Sequence, residues 1–167
     1  MSARQAVALP RKKRALRGRR LLVVDIENVA GGAVTTEASA AWARDVVVSA
    51  LTVRDGEQVI IGTSHIGLFH ISSVWPGARL KVRSGLNGAD LELLEVLTGE
   101  RVEERFDEVA LVSGDGIFTE AIARLGAAGV NVTVASWVEA LSARLCLAAR
   151  RTVYLNDVTA TVAKEIA

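Results

Sequence analysis

The chain has 167 residues, half of them hydrophobic, which is enough for one folded domain with its own core. No apolar run approaches the roughly 18 residues of a membrane span, so a membrane protein is excluded. The single cysteine, Cys146, excludes an internal disulfide, and we therefore expect a cytoplasmic protein with no membrane partner.

The net charge of +1 conceals a strong asymmetry between the start of the chain and the rest. Residues 1–20 hold eight Lys and Arg and no acid, whereas residues 21–167 hold 12 basic and 19 acidic residues. A basic arm is attracted to polyanions, although the same composition also fits a disordered, solubilising segment. The candidates for nucleic-acid binding in the arm are Arg11, Lys12, Lys13 and Arg14.

Beyond the arm, short apolar runs alternate with amphipathic stretches, a pattern that predicts successive βαβ units. The predicted strands span residues 21–25, 58–63, 78–83, 108–113 and 130–135, with an edge strand at 151–155. The predicted helices span residues 36–54, 65–75, 89–97, 117–128 and 138–149. We therefore predict a three-layer α/β/α sandwich with a mainly parallel, Rossmann-like sheet over residues 21–155, followed by a tail at 156–167.

Three aspartates fall where a predicted strand ends or the next helix begins, namely Asp25, Asp90 and Asp115. Right-handed crossovers bring the carboxyl ends of parallel strands to one edge, so we expect the three side chains at a common rim. Two carboxylates about 4 Å apart repel by roughly 4 kcal/mol at an effective dielectric constant near 20. A cluster of this kind requires a cation, a shared proton or wide spacing, and oxygen ligands favour Mg²⁺ or Mn²⁺ as the cation. Each aspartate taken alone also fits an ordinary strand end or helix N-terminus.

Two further features surround these acids. Asn28 can bind a water molecule, a phosphate or Asp25, or it can be a turn residue before Gly31 and Gly32. The loop from Ser113 to Gly116 is built of small residues, so a phosphate backbone can approach it closely, and Ser113 offers a hydroxyl.

Three motifs in this order resemble the NYN domains of the PIN-like nuclease superfamily. They are Asp25-Ile26-Glu27-Asn28, then Gly88-Ala89-Asp90-Leu91-Glu92-Leu93, then Val112-Ser113-Gly114-Asp115-Gly116-Ile117-Phe118. The resemblance covers about residues 21–155. It implies a PIN-like fold, Mg²⁺ or Mn²⁺ as cofactor, and hydrolysis of single-stranded or structured RNA.

On this nuclease interpretation Asp25, Asp90 and Asp115 hold the metal, and Asn28 orients the attacking water or the scissile phosphate. Arg83 and Asn87 precede Asp90 and are candidates for contacts with the RNA backbone.

The sequence departs from the family pattern at two places. Ile117 stands where the family often has a second aspartate, which can weaken a second metal site. Glu92 or Glu95 stands in for a further acid along the central helix and is a possible auxiliary.

Two other functions stay open. The first is an RNA-binding module of the same fold that has lost activity, which Ile117 favours. The second is a phosphatase of the haloacid dehalogenase type, because Gly114-Asp115-Gly116 resembles its late Mg²⁺ loop. Its nucleophile motif, however, requires an aspartate where this chain has Glu27. The weakly charged late helices would also permit a homodimer.

Overall fold

A computed structural model describes residues 18–159, and these residues build a six-stranded sheet in which every strand pair is parallel. The strands are β1 (Arg20–Asp25), β2 (Gln58–Thr63), β3 (Arg79–Val82), β4 (Glu108–Val112), β5 (Asn131–Ser136) and β6 (Arg151–Tyr154). Their order in the sheet is β3-β2-β1-β4-β5-β6. This is the Rossmann-like order, which confirms the predicted topology.

Helices cover both faces of the sheet. They are α1 (Ile26–Ala30), α2 (Glu37–Leu51), α3 (Leu68–Val74), α4 (Gly88–Gly99), α5 (Val102–Arg105), α6 (Thr119–Ala127) and α7 (Ala143–Ala148). Alternate residues of β1 point to opposite faces: Leu22 and Val24 pack with α1, α2 and α3, whereas Leu21 and Val23 pack with α4 to α7. The two cores and the sheet between them form the predicted α/β/α sandwich.

A glycine in β2 allows α4 to pack unusually close to the sheet. Gly62 is the register partner of Asp25, and a Cβ atom on Gly62 would lie 2.6 Å from Cγ of Leu93 in α4. A side chain there would push α4 outward, because contacts this short do not occur in packed interiors. The absence of a side chain at Gly62 therefore allows the first turn of α4, which carries Asp90, to lie near the end of β1.

Several predicted boundaries differ from the structure. α2 begins as predicted, with the Oγ1 atom of Thr36 accepting the N–H of Ser39 at 3.1 Å, but it ends three residues early. Thr52 stops it by adopting a left-handed conformation with φ 48°. The predicted helix at 65–75 begins only at Leu68, and α4 runs through Gly99, which the sequence had placed just past its end.

The predicted helix at 138–149 is wrong as a continuous element, because it divides into a 3₁₀ turn (Val138–Ala140) and α7. At the break, Leu141 is extended, and Ser142 donates its N–H to the carbonyl oxygen of Gly114 at 2.8 Å instead of to a carbonyl of the preceding turn. The helix predicted from residue 117 likewise starts with a 3₁₀ turn (Gly116–Phe118) before α6.

None of the helices within residues 18–159 combines the length and apolar character needed to cross a bilayer. The candidate arm residues Arg11, Lys12, Lys13 and Arg14 lie outside the described residues, as does the predicted tail from residue 160 onward.

Candidate active site

A pocket of about 270 Å³ lies at the carboxyl end of the sheet, where β1 meets β4. The chain leaves these two neighbouring strands toward opposite sides, and such a switch point is where open α/β sheets bind ligands. The lining residues are Asp25, Glu27, Asn28, Ser64, Arg83, Gly85, Asn87, Gly88, Ala89, Asp90 and Asp115. The fold thus brings the three predicted aspartates to one pocket, together with Asn28, Arg83 and Asn87.

Asp25 is the most buried acid of the pocket, with 5% of its surface exposed. One carboxylate oxygen accepts the N–H of Asn28 at 3.2 Å, so that Asp25 caps the N-terminus of α1. The other oxygen accepts the hydroxyl of Ser113 at 3.0 Å. Both oxygens therefore have fixed directions, and Ser113 acts by orienting Asp25.

The electrostatics of the pocket show an excess of negative charge. Burial raises the pKa of Asp25 to about 7, and the neighbouring charge of Asp90 adds to this effect, against the two hydrogen bonds that lower it. Burial also raises the pKa of Asp90, as do the charges of Asp115 and Glu27, while its hydrogen bond with Asp25 lowers it. Asp25 and Asp90 are thus close enough to share a proton when no cation is present.

The loop after β4 is held in place by hydrogen bonds to residues of the pocket. The N–H of Gly114 donates to Oδ1 of Asn28 at 3.1 Å, and the N–H of Asp115 donates to the Ser113 hydroxyl at 3.2 Å. Asp115 in turn accepts the N–H of Ile117 at 2.9 Å and so caps the 3₁₀ turn. Asn28 is therefore a bridge between α1 and this loop, and it is not the turn residue that the sequence also allowed.

Glu92 and Glu95 are not brought to the pocket. Glu92 pairs with Lys81 at 2.8 Å on the flank of α4, and this hydrogen bond lowers the pKa of Glu92. Glu95 is exposed to solvent further along the same helix. Ile117 packs against the core on the α4 to α7 face, so it offers no oxygen ligand in place of the aspartate that the family often has.

Sequence reasoning missed Glu27 and Ser64 as members of the pocket. Oε1 of Glu27 accepts the N–H of Ser64 at 2.9 Å, which joins α1 to the loop after β2. The Ser64 hydroxyl oxygen is buried and has no hydrogen-bond partner within residues 18–159. A signal for Ser64 existed, because it directly follows a strand at the edge where Asp25 also lies.

The oxygen ligands of the pocket fit a hard divalent cation held by few protein ligands. Within residues 18–159, no three His, Cys, Asp or Glu side chains lie close enough together to hold a metal ion by themselves. Mg²⁺, however, is usually bound by one or two carboxylates and keeps several waters and a substrate phosphate. The pair of buried Asp25 and partly buried Asp90, whose pKa values are both raised, meets that description, with the unpaired Oγ of Ser64 in the same pocket.

Comparisons with known proteins give a family and a fold. Residues 69–156, slightly more than half of the chain, match the NYN domain family. A protein of unknown function from Vibrio parahaemolyticus RIMD 2210633 has a crystal structure that aligns with a TM-score of 0.60 and 18% identity. The alignment covers 87% of this chain and 98% of that one, and at this identity it shows a shared fold. No curated protein matches the sequence.

Proposed function

Because this chain belongs to the NYN domain family of PIN-like nucleases, whose members are generally ribonucleases, we propose that it is a metal-dependent ribonuclease. In this proposal it hydrolyses RNA phosphodiester bonds at the pocket between β1 and β4. The observation that carries the proposal is the convergence of Asp25, Asp90 and Asp115 on that pocket. The raised pKa of Asp25 supports it, because it marks a carboxylate whose ionised form lacks a positive partner.

Asp25 and Asp90 would hold a Mg²⁺ or Mn²⁺ ion, and Asp115 would complete the ligand set directly or through water. When bound, such an ion lowers the pKa of a water molecule and stabilises negative charge on the phosphate. The contribution of the protein is orientation, since Ser113 and the N–H of Asn28 fix both oxygens of Asp25.

Three polar side chains are proposed to act on the RNA. The amide nitrogen of Asn28 has no protein partner among residues 18–159, since its oxygen alone is used by Gly114, and it can donate to a phosphate or to the attacking water. Arg83 is half exposed and lies 3.9 Å from Glu92, so its guanidinium remains available to a phosphate. Asn87 lies beside it in the pocket wall.

The basic arm is proposed to increase the local concentration of RNA near the domain. Arg11, Lys12, Lys13 and Arg14 would contact the backbone without reading its sequence, so their contribution should depend strongly on salt.

The test compares two variants of the same helix. Asp90→Asn should reduce Mn²⁺-dependent cleavage of a labelled single-stranded RNA by more than the roughly 100-fold that loss of an outer-shell partner costs. Glu92→Gln should retain activity, because Glu92 lies outside the pocket in its ion pair with Lys81. Reactions with EDTA reveal any contaminating nuclease that needs no metal, and the Asp90→Asn preparation, purified in the same way, reveals any that does. Equal cleavage by Asp90→Asn and the unaltered protein would contradict the proposal.

A second candidate function is an RNA-binding module without catalytic activity. Two observations favour it: residues 18–159 contain no ready three-ligand metal site, and Ile117 provides no carboxylate. Filter binding beside the cleavage assay separates the two functions. If the protein retains RNA on the filter but gives no metal-dependent cleavage products, the protein is an RNA-binding module. The phosphatase alternative gains no support from the family match.

A further inference from the structure

Large apolar side chains are exposed on the two segments that leave the carboxyl ends of β2 and β3. Ile66 and Phe69 follow β2, and their exposed fractions are 59% and 77%. Leu86 follows β3 and is 92% exposed. Both segments leave the carboxyl edge of the sheet, which is the edge of the acidic pocket, and Phe69 lies in the first turn of α3. Large exposed apolar side chains on segments that border a pocket are typical of a binding surface.

The backbone holds Leu86 out at the mouth of the pocket. Its two neighbours, Gly85 and Asn87, both line the pocket and both have positive φ angles, of 100° and 54°. The left-handed conformation costs a residue with a side chain about 1–2 kcal/mol, a cost that asparagine tolerates better than most. The turn is closed by the N–H of Gly88, which donates to the carbonyl oxygen of Gly85 at 3.0 Å. Leu86 is thus displayed by a defined turn.

The loop that carries Ile66 is attached to the loop that carries Leu86. The backbone N–H of His65 donates to Oγ of Ser84 at 3.1 Å, and Nδ1 of His65 lies 2.7 Å from the same oxygen. Ser64, the residue before His65, lines the acidic pocket. The two loops and the acids therefore form one connected surface.

We propose that Leu86, Phe69 and Ile66 form an apolar platform that receives an unpaired nucleobase of the RNA whose phosphate enters the pocket. This inference rests on the proposed function and adds to it a contact between named side chains and one unpaired base. A base within a duplex has both faces covered by its neighbours, whereas an unpaired base can leave the stack and lie on a protein side chain.

The shared loop is the argument for RNA as the occupant. Arg83 and Asn87 offer polar groups to a phosphate inside the pocket, and Leu86 stands beside Asn87 at its mouth. One nucleotide can therefore place its phosphate and its base on adjacent residues of one turn. Phe69 supports this assignment, because it is the most exposed aromatic residue within 18–159 and its ring can stack on a base.

The experiment measures binding of a fluorescent single-stranded 12-mer RNA by anisotropy, with Ca²⁺ in place of Mg²⁺. The double variant Leu86→Ala/Phe69→Ala should bind about 5- to 150-fold more weakly, which is the range for loss of base stacking. Leu147→Ala is the matched control, since Leu147 is 87% exposed on α7 and does not line the pocket. Its affinity should be unchanged. Both substitutions remove exposed side chains, and equal melting temperatures would verify that the fold is intact.

A second set of RNAs, each with one abasic nucleotide, shows whether the platform contacts a base. At one position the abasic RNA should bind the unaltered protein more weakly, yet cause no further loss in the double variant. Equal affinity of the variant and the unaltered protein would overturn the platform, as would independent losses at every position. A change of the variant from dimer to monomer in sedimentation, without any effect on RNA, would instead assign this surface to a second copy of the chain.

The cleavage assay separates this inference from the proposed function. If the unaltered protein cleaves RNA and the double variant binds RNA as tightly as the unaltered protein does, the platform is rejected and the ribonuclease proposal is kept. If binding depends on the base but no metal-dependent products form, the ribonuclease proposal is rejected and the platform is kept.

Discussion

Replacement of Asp25 by asparagine should change how the stability of the protein depends on pH. Asp25 is buried, and burial together with the charge of Asp90 raises its pKa from 3.8 to about 7. Asparagine has nearly the same shape and can still accept the N–H of Asn28 through its oxygen, but it carries no titratable proton. The variant therefore removes the titration and leaves the packing almost unchanged.

The sign follows from the protons bound in each state. Between about pH 4 and pH 7 the folded protein keeps the proton on Asp25, whereas the unfolded chain has lost it, so the folded state binds more protons. The free energy of unfolding should therefore fall as the pH rises through this window. A pKa change from 3.8 to about 7 corresponds to about 4 kcal/mol lost by pH 8 in the absence of metal.

Urea unfolding in EDTA, followed by far-ultraviolet circular dichroism, gives the free energy at each pH. The difference in stability between Asp25→Asn and the unaltered protein should grow in favour of the variant, by about 4 kcal/mol, from pH 4 to pH 8. Asp45→Asn, on the exposed face of α2, is the control and should show no such trend. If the difference in unfolding free energy between the variant and the unaltered protein is the same at pH 4 and at pH 8, the assignment of a raised pKa to Asp25 is refuted.

Three further predictions concern the metal, the loop after β4 and the arm. Calorimetry of Mn²⁺ binding near pH 6.5, in buffers of different ionisation enthalpy, should show the release of about one proton, and this release should vanish in Asp25→Asn. Metal binding without proton release would contradict the shared proton. Gly114→Ala should destabilise the protein by about 1–3 kcal/mol, because the added methyl group would collide with the carbonyl oxygen of Ala140. The control Gly99→Ala, where the space is open, should be neutral or stabilising. Equal melting temperatures of the two variants would show that the loop can move aside. Deletion of residues 1–17, which carry six Lys and Arg, should weaken RNA binding and lower the slope of log affinity against log salt by up to about 4, and an unchanged slope would show that the arm makes no phosphate contacts.

The strands could be predicted from sequence because apolar runs end at polar or small residues. Gln58–Thr63 was predicted to the residue, and the aspartates at strand ends fell at one edge as parallel topology requires. The short helices α1 and α5 could not be predicted, because five and four residues contain too little periodicity to recognise.

Helix geometry explains which acids of α4 reach the pocket and which do not. Successive residues turn by about 100°, so Glu92 points roughly 200° away from Asp90 and meets Lys81 on the flank. This was available from the sequence once α4 had been placed. The role of Glu27 was not, because its partner Ser64 lies 37 positions further along the chain and the contact exists only in the fold.

The charge of the pocket depends on packing as much as on the acids themselves. Gly62 lets Leu93 approach β2, and Gly88 fits against the carbonyl oxygen of Arg83, where a Cβ atom would not. Together these two contacts bring the first turn of α4 toward the end of β1. Asp90 is then near enough to raise the pKa of Asp25, against the repulsion that would separate two exposed carboxylates. The apolar core thus supplies the free energy that holds the acids together, and a cation that relieves their repulsion should bind without reorganising the fold.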